Sequence, residues 1–377
     1  MKRIIGVLFL LLFVIPACLA QEKSDYRVRY MKEHLLYANG EEVSVIDVDL
    51  EWPEDIDGAD LRPLHAYLFK TLMGGVQGND FGQAYEQFKA MYGQPVTKQF
   101  ASTPDDGKMC YVSISLRLLA HEAGRYVSFD MKRSCSPGSD ATKKKEELSE
   151  LLTYDLVGLE ILRRDDVLLR KRMENRYIDF RLLMPPHAEY LLMSTLSIND
   201  ACLARDKVLL YNSVLDDYGQ PFSYQLMLSP QSISSFLSKK AKELLKKRKG
   251  KPAVSVASKR GEPETFVGQD GTLQTVCAKP DVMPEFQIPG RKLSEYMSEN
   301  IRAVDKAIDG VCSGQTFVKL TIDKEGNTCG VRIVNPLAPA YDREAARVAW
   351  ALPRWKPAVK DGVAVAAQVL VGIGFNM

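Results

Sequence analysis

Two periods run through the last quarter of the chain. Residues 315–322 and 328–334 alternate apolar and polar like strands, and Asp323-Lys-Glu-Gly-Asn327 between them is a hairpin-length connection with a glycine where φ > 0 is expected. The period then changes to that of a helix: Tyr341, Ala345, Val348, Ala349 and Leu352 fall on one apolar stripe. Asp342 and Glu344 stand at its positive N-terminal end, and Pro353 stops it. Trp355-Lys-Pro357 leads through Asp361-Gly362 into a largely apolar strand, 363–375. The predicted order is β-hairpin, helix, strand, with Trp355 in the core where the chain turns back across the sheet.

Upstream the patterns are mixed. Residues 26–30 and 43–52 alternate, whereas 60–73 puts Leu61, Leu64, Leu68 and Leu72 on one helical face and 81–92 does the same with Phe81, Tyr85, Phe88 and Tyr92. Residues 109–118 and 126–135 form an alternating pair around His121-Glu-Ala-Gly124. A short helix is expected over 146–152, strands over 207–212 and 223–228, and a helix over 232–247, with Ser229-Pro230 at its start. From 246 to 282 charge, Ser, Gly and Pro mix without period, as in a linker. The fold class is α+β in two domains, 26–245 and 283–377.

Composition adds bounds. A chain of 377 residues, 46% hydrophobic, has ample core for two domains, and a net charge of +2 leaves no overall nucleic-acid footprint. Met1-Lys-Arg3, a twelve-residue apolar run and Pro16-Ala-Cys-Leu-Ala20 read as a secretory signal cut before Gln21. A lipoprotein acylated at Cys18 and an uncleaved anchor are the alternatives, although the run is short of the ~20 residues a spanning helix needs.

Chemistry is sparse. His34, His65, His121 and His187 have no second ligand at metal spacing, and neither a Gly-x-Ser-x-Gly elbow nor a Walker loop occurs. The pairs Asp105-Asp106, Asp165-Asp166 and Asp216-Asp217 lie in turn-rich stretches. No catalytic residue, cofactor or metal is expected. Lys239, Lys240, Lys246, Lys247, Arg248 and Lys249 make a basic face suited to anionic lipid or peptidoglycan peptides. Six cysteines follow Ala20. A hairpin turning between Glu122 and Ala123 places Leu118 opposite Val127, Leu116 opposite Phe129 and Cys110 opposite Cys135, which predicts a Cys110–Cys135 disulfide. The same arithmetic leaves Cys312 about 26 Å from Cys329. The partners of Cys202 and Cys277 are not legible.

Asp323-Lys-Glu-Gly326, Asp342-Arg-Glu-Ala345, Trp355-Lys-Pro357 and Gly362, in that order, resemble the C-terminal domain of TonB. The Tyr-Pro pair that TonB carries ahead of its first strand is Arg302-Ala303 here. The resemblance implies a periplasmic location in a Gram-negative envelope and a protein partner, such as an outer-membrane receptor, bound by strand addition. Thr153-Tyr-Asp-Leu-Val-Gly158 with Asp166-Val-Leu168, and Gly124–Phe129, are similar to the RsiV-like domain, an extracytoplasmic α+β module without an established catalytic role. Together they imply a non-enzymatic binding or adaptor protein. A TonB-type energy transducer and an envelope hydrolase are the alternatives.

Overall fold

The computed structural model describes residues 26–78, 80–96, 109–137, 145–169, 183, 191–246, 265–267, 273–304, 306 and 310–375. The expected signal and the positions Cys18, His187, Lys247, Arg248 and Lys249 lie outside these residues.

Two long strands, β1 (Tyr26–Asn39) and β2 (Glu42–Ile56), pair along their whole length across a two-residue turn at Gly40, whose φ is +65°. Helices α1 (Arg62–Thr71) and α2 (Phe81–Ala90) follow, the second capped by Asp80, whose carboxylate accepts from the Gln83 amide at 2.9 Å. After the short β3 (Gln94–Pro95) come β4 (Met109–Glu122), β5 (Tyr126–Pro137), β6 (Glu146–Asp155) and β7 (Glu160–Leu162). β4 lies parallel to β2, as a crossover through two helices allows, and the rest of this run is antiparallel. Residues 146–152 are therefore strand, not the expected helix. Pairing with β5 from Cys135↔Glu146 to Tyr126↔Asp155 overrides the helical propensity of Glu and Leu.

Next are the one-turn helix α3 (Arg164–Val167), then β8 (Leu191–Ala204), β9 (Lys207–Asp216) and β10 (Pro221–Leu228), which form a separate three-stranded sheet. Helix α4 (Lys239–Leu245) is shorter than the expected 232–247. Ser238, not Ser229, caps it, accepting from the Ala241 amide at 3.0 Å.

The C-terminal part comprises β11 (Thr265–Val267), β12 (Leu273–Thr275), β13 (Glu285–Phe286), α5 (Leu293–Asn300), β14 (Gly314–Ile322), β15 (Thr328–Asn335), α6 (Pro339–Trp350), β16 (Trp355–Lys356), β17 (Ala358–Lys360), β18 (Val363–Val365) and β19 (Ala367–Phe375). The predicted hairpin, helix and strand are present, with the last strand broken at Ala366. The expected linker is not linker throughout. The Cys277 amide donates to Ala366 O at 2.8 Å and Val282 bridges Val359, so residues 277–282 belong to the C-terminal unit.

The main sheet crosses the boundary between the two units. Its order is β19-β14-β15-β1-β2-β4-β5-β6-β7, with β3 also on β1. One apolar core follows it, from Ile46, Leu50 and Trp52 with Leu64, Leu68 and Phe88, to Val318, Leu320, Ile333 and Val348. The class is α+β, as expected. A second core joins β8–β10 to α3, α4, Phe236 and Leu237.

Candidate binding edge and the joint behind it

The motif residues of the C-terminal unit act as joints. Asp323 is fully buried, and its carboxylate accepts from the amides of Glu325 (3.0 Å) and Asn327 (2.7 Å), closing the β14–β15 turn. Gly326 there has φ +89°, and a Cβ on it would collide with the carbonyl of Trp355. The Trp355 amide in turn donates to Gly326 O at 2.7 Å. Trp355 is buried as predicted, edge-on to Phe286 at 5.7 Å. Asp361-Gly362 makes the turn between β17 and β18, with Gly362 at φ +78°, after Pro357 has ended β16. Ala345 is fully buried on the apolar stripe of α6.

Asp342 does more than face a helix dipole. It is the fourth residue of α6 and fully buried, accepting from the Leu337 amide (2.8 Å), the Thr316 hydroxyl (2.7 Å) and the Tyr26 hydroxyl. Tyr26 begins β1, so the motif aspartate ties the two units together. Beside it β1 pairs with β15 at Val28↔Ile333, Arg29↔Arg332 and Tyr30↔Val331. Arg343 reaches across to buried Glu51 of β2 (2.6 and 3.2 Å) and to Leu118 O (2.7 Å), while the Leu118 amide donates back to Glu51 at 2.7 Å. Glu54 takes Arg29 at 2.8 Å and Arg332 at 2.9 Å. Burial pushes the Glu51 carboxyl above its ordinary value, against the pull of Arg343.

This joint covers the β15 side of the C-terminal strands β19-β14-β15 and leaves β19 at the end of the sheet. β19 pairs with β14 along its full length, Gly314↔Phe375 to Ile322↔Ala367, and no described strand pairs with its outer side. Val371, Ile373 and Phe375 point inward, whereas Leu370, 59% exposed, Gly372 and Gly374 face solvent.

The basic residues are not one face. Lys239 and Lys246 are exposed, but Lys240 is held by Asp155 (2.5 Å) and Glu160 (2.6 Å), and is not available to an outside anion. The pairing explains the Tyr-Asp-Leu-x-x-Gly stretch: a Cβ on Gly158 would lie 2.5 Å from Asp155 Oδ2 and 2.9 Å from Lys240 Nζ.

The β4–β5 register differs from the prediction. A three-residue turn, 123–125, and a bulge at Leu119 put Val112, not Cys110, opposite Cys135, and Cys110 opposite Pro137. The slip is two residues, so every side chain stays on its expected face and the apolar pattern could not reveal it. The two sulfurs are diagonal neighbours 3.5 Å apart, with no covalent bond between them.

His34 meets Asp47 in solvent, His65 packs on Trp52, and His121 bonds Asp57 at 2.6 Å. Among the described residues no three His, Cys, Asp or Glu converge as metal ligands, and no helix is long and apolar enough to cross a membrane. A cavity of about 50 Å³ lies between the sheets, lined by Asp130, Lys132, Ser149, Leu151, Asp200, Tyr211 and Gln225. That is room for a few waters. Sequence reasoning missed Tyr26, Glu51 and Arg343. Arg343 stands inside the quoted Asp342–Ala345 motif, but nothing in the sequence marks Glu51, 292 positions away, as its partner.

Residues 305–377 match the family model of the Gram-negative bacterial TonB protein C-terminal. Among solved structures, a DUF3298 family protein from Pseudomonas aeruginosa PAO1 aligns with 59% of this chain and 97% of its own, at 13% identity and a TM-score of 0.37. So remote a likeness does not fix the fold of the N-terminal part. No curated protein matches the chain. The C-terminal unit is thus of TonB C-terminal type, a class associated with the Gram-negative envelope.

Proposed function

We propose that this is a non-catalytic, exported binding or adaptor protein of the Gram-negative envelope, which takes an extended segment of a partner protein as an added strand on the outer edge of β19. The observation that carries the reading is the asymmetry of the C-terminal sheet: β1 covers β15, while β19 ends the sheet with Leu370 exposed. A sheet end offers a row of backbone donors and acceptors, and strand addition turns that row into affinity. The TonB-type match of residues 305–377 supports a protein partner, and an outer-membrane receptor is the class that such domains engage. The test is an NMR titration of the full chain with synthetic plug-side peptides of cognate outer-membrane receptors. Shifts confined to β19 and its neighbour β14, lost in Leu370→Lys, are expected. Saturating peptides that leave β19 unmoved would overturn the proposal.

A further inference from the structure

We propose that Cys110 and Cys135 form a reversible dithiol–disulfide site at the open end of the β4–β5 hairpin. The two sulfurs already touch at 3.5 Å, and both residues are half-buried, so a small oxidant can reach them. Closure to a bond of about 2.0 Å requires the strand ends to draw together, because diagonal partners sit about 7–8 Å apart at Cα and a disulfide prefers less than about 6.8 Å. A bond closed against that spacing is more easily reduced than one between facing residues. The site therefore works in both directions.

The surroundings separate this pair from Cys202 and Cys329. Cys202 is fully buried, and burial pushes its thiol well above the ordinary value. The Cys329 thiol donates to Thr321 O at 3.2 Å and is pushed up to about 12, chiefly by burial. Neither supplies the thiolate that exchange requires. At the proposed site the Tyr92 phenol neighbours both sulfurs and the Arg133 guanidinium. Gly74 makes room for that guanidinium: a Cβ there would lie 3.1 Å from it.

The oxidant is a disulfide, either glutathione disulfide or the active-site disulfide of an envelope oxidase. One cysteine thiolate attacks it, giving a mixed disulfide and releasing one thiol of the oxidant. The second cysteine then attacks the mixed disulfide, forming Sγ–Sγ and releasing the other thiol. The protein loses two protons and two electrons, and the oxidant gains them as its disulfide becomes two thiols.

The test uses the wild-type chain, equilibrated in its native state with oxidised glutathione, alkylated and mapped without reduction. The expected result is a peptide pair linked through Cys110 and Cys135, two hydrogens lighter than its parts, with loss of alkylation at both. Reduced glutathione, without denaturant, should restore both thiols. In Cys110→Ser, Cys135 should stay open to alkylation or carry one glutathione. Stoichiometric alkylation of both residues after oxidation, or a bond from either to a third cysteine, would overturn the site. A bond that opens only in denaturant would overturn its reversibility.

Discussion

Arg343 Nε donates to Glu51 Oε1 at 2.6 Å, joining helix α6 to strand β2 across 292 positions of sequence. The same carboxylate also takes the Leu118 amide, so one buried group holds three elements together. Removing the arginine leaves a buried charge without its cation, and such losses cost about 3–5 kcal/mol. Arg343→Ala should therefore destabilise the whole chain in urea at neutral pH. Since burial already raises the Glu51 carboxyl, the variant should recover part of the loss as pH falls and Glu51 takes up a proton. Equal loss at pH 5 and pH 8 would show that the pair is not what stabilises the joint.

Trp355 is a second point of dependence. Trp355→Ala should cost about 3–5 kcal/mol, the range for emptying a large aromatic site. Trp355→Phe should cost much less, because the buried Nε1 makes no hydrogen bond that the change would break. Gly326→Ala should be severe too, since its new methyl would meet the Trp355 carbonyl and its φ is +89°. Urea unfolding midpoints of the three variants give the ranking.

The carboxyl of Asp200, buried between the two sheets, is pushed up to about 6 from its ordinary 3.8. The folded state thus holds this proton more tightly than the unfolded one. Its contribution to stability is full below pH 3.8 and is lost as pH rises through about 6, an effect of roughly 3 kcal/mol at most. Asp200→Asn, whatever its absolute stability, should flatten that part of the stability profile. A carboxyl that titrates near 4 in the folded chain by NMR would contradict this.

Gly158→Ala should disturb the Lys240–Asp155 pair from within the turn, because the added carbon lies closer to both groups than any Cβ tolerates. Loss of that bond leaves Lys240 held by Glu160 alone, a partner 56% exposed, and more open to an outside anion. Binding to anionic vesicles should then rise in Gly158→Ala relative to wild type, if Lys239 and Lys246 take part in such contacts. Unchanged vesicle binding would argue that this surface is only solvated.

What could be read from the sequence was what neighbours decide. The turn at Asp323–Gly326 and the stripe of α6 are each set within about fifteen residues. The burial of Trp355 follows from its place in the Trp355-Lys-Pro357 motif, although its partners Phe286 and Gly326 are distant. The β1–β15 pairing is not set locally, since strands about 300 residues apart carry no mark of one another in their alternation. Residues 146–152 look helical by composition, but the open edge of β5 makes them strand. At Cys110 and Cys135 the pattern gave the face and missed the register, because a two-residue slip preserves parity. Lys240 looked like part of a basic face until Asp155 and Glu160 were placed beside it.

Hydrogen exchange on the full chain, with and without a bound partner peptide, tests the central claim most directly. Without peptide, the amides of β15 that face β1 should already be protected, and those on the outer side of β19 should exchange fast. With peptide, new protection should appear on β19 while β15 and β1 stay unchanged. Protection gained on β15 together with exposure of β1 would place the binding edge on the opposite side of the hairpin and contradict the account.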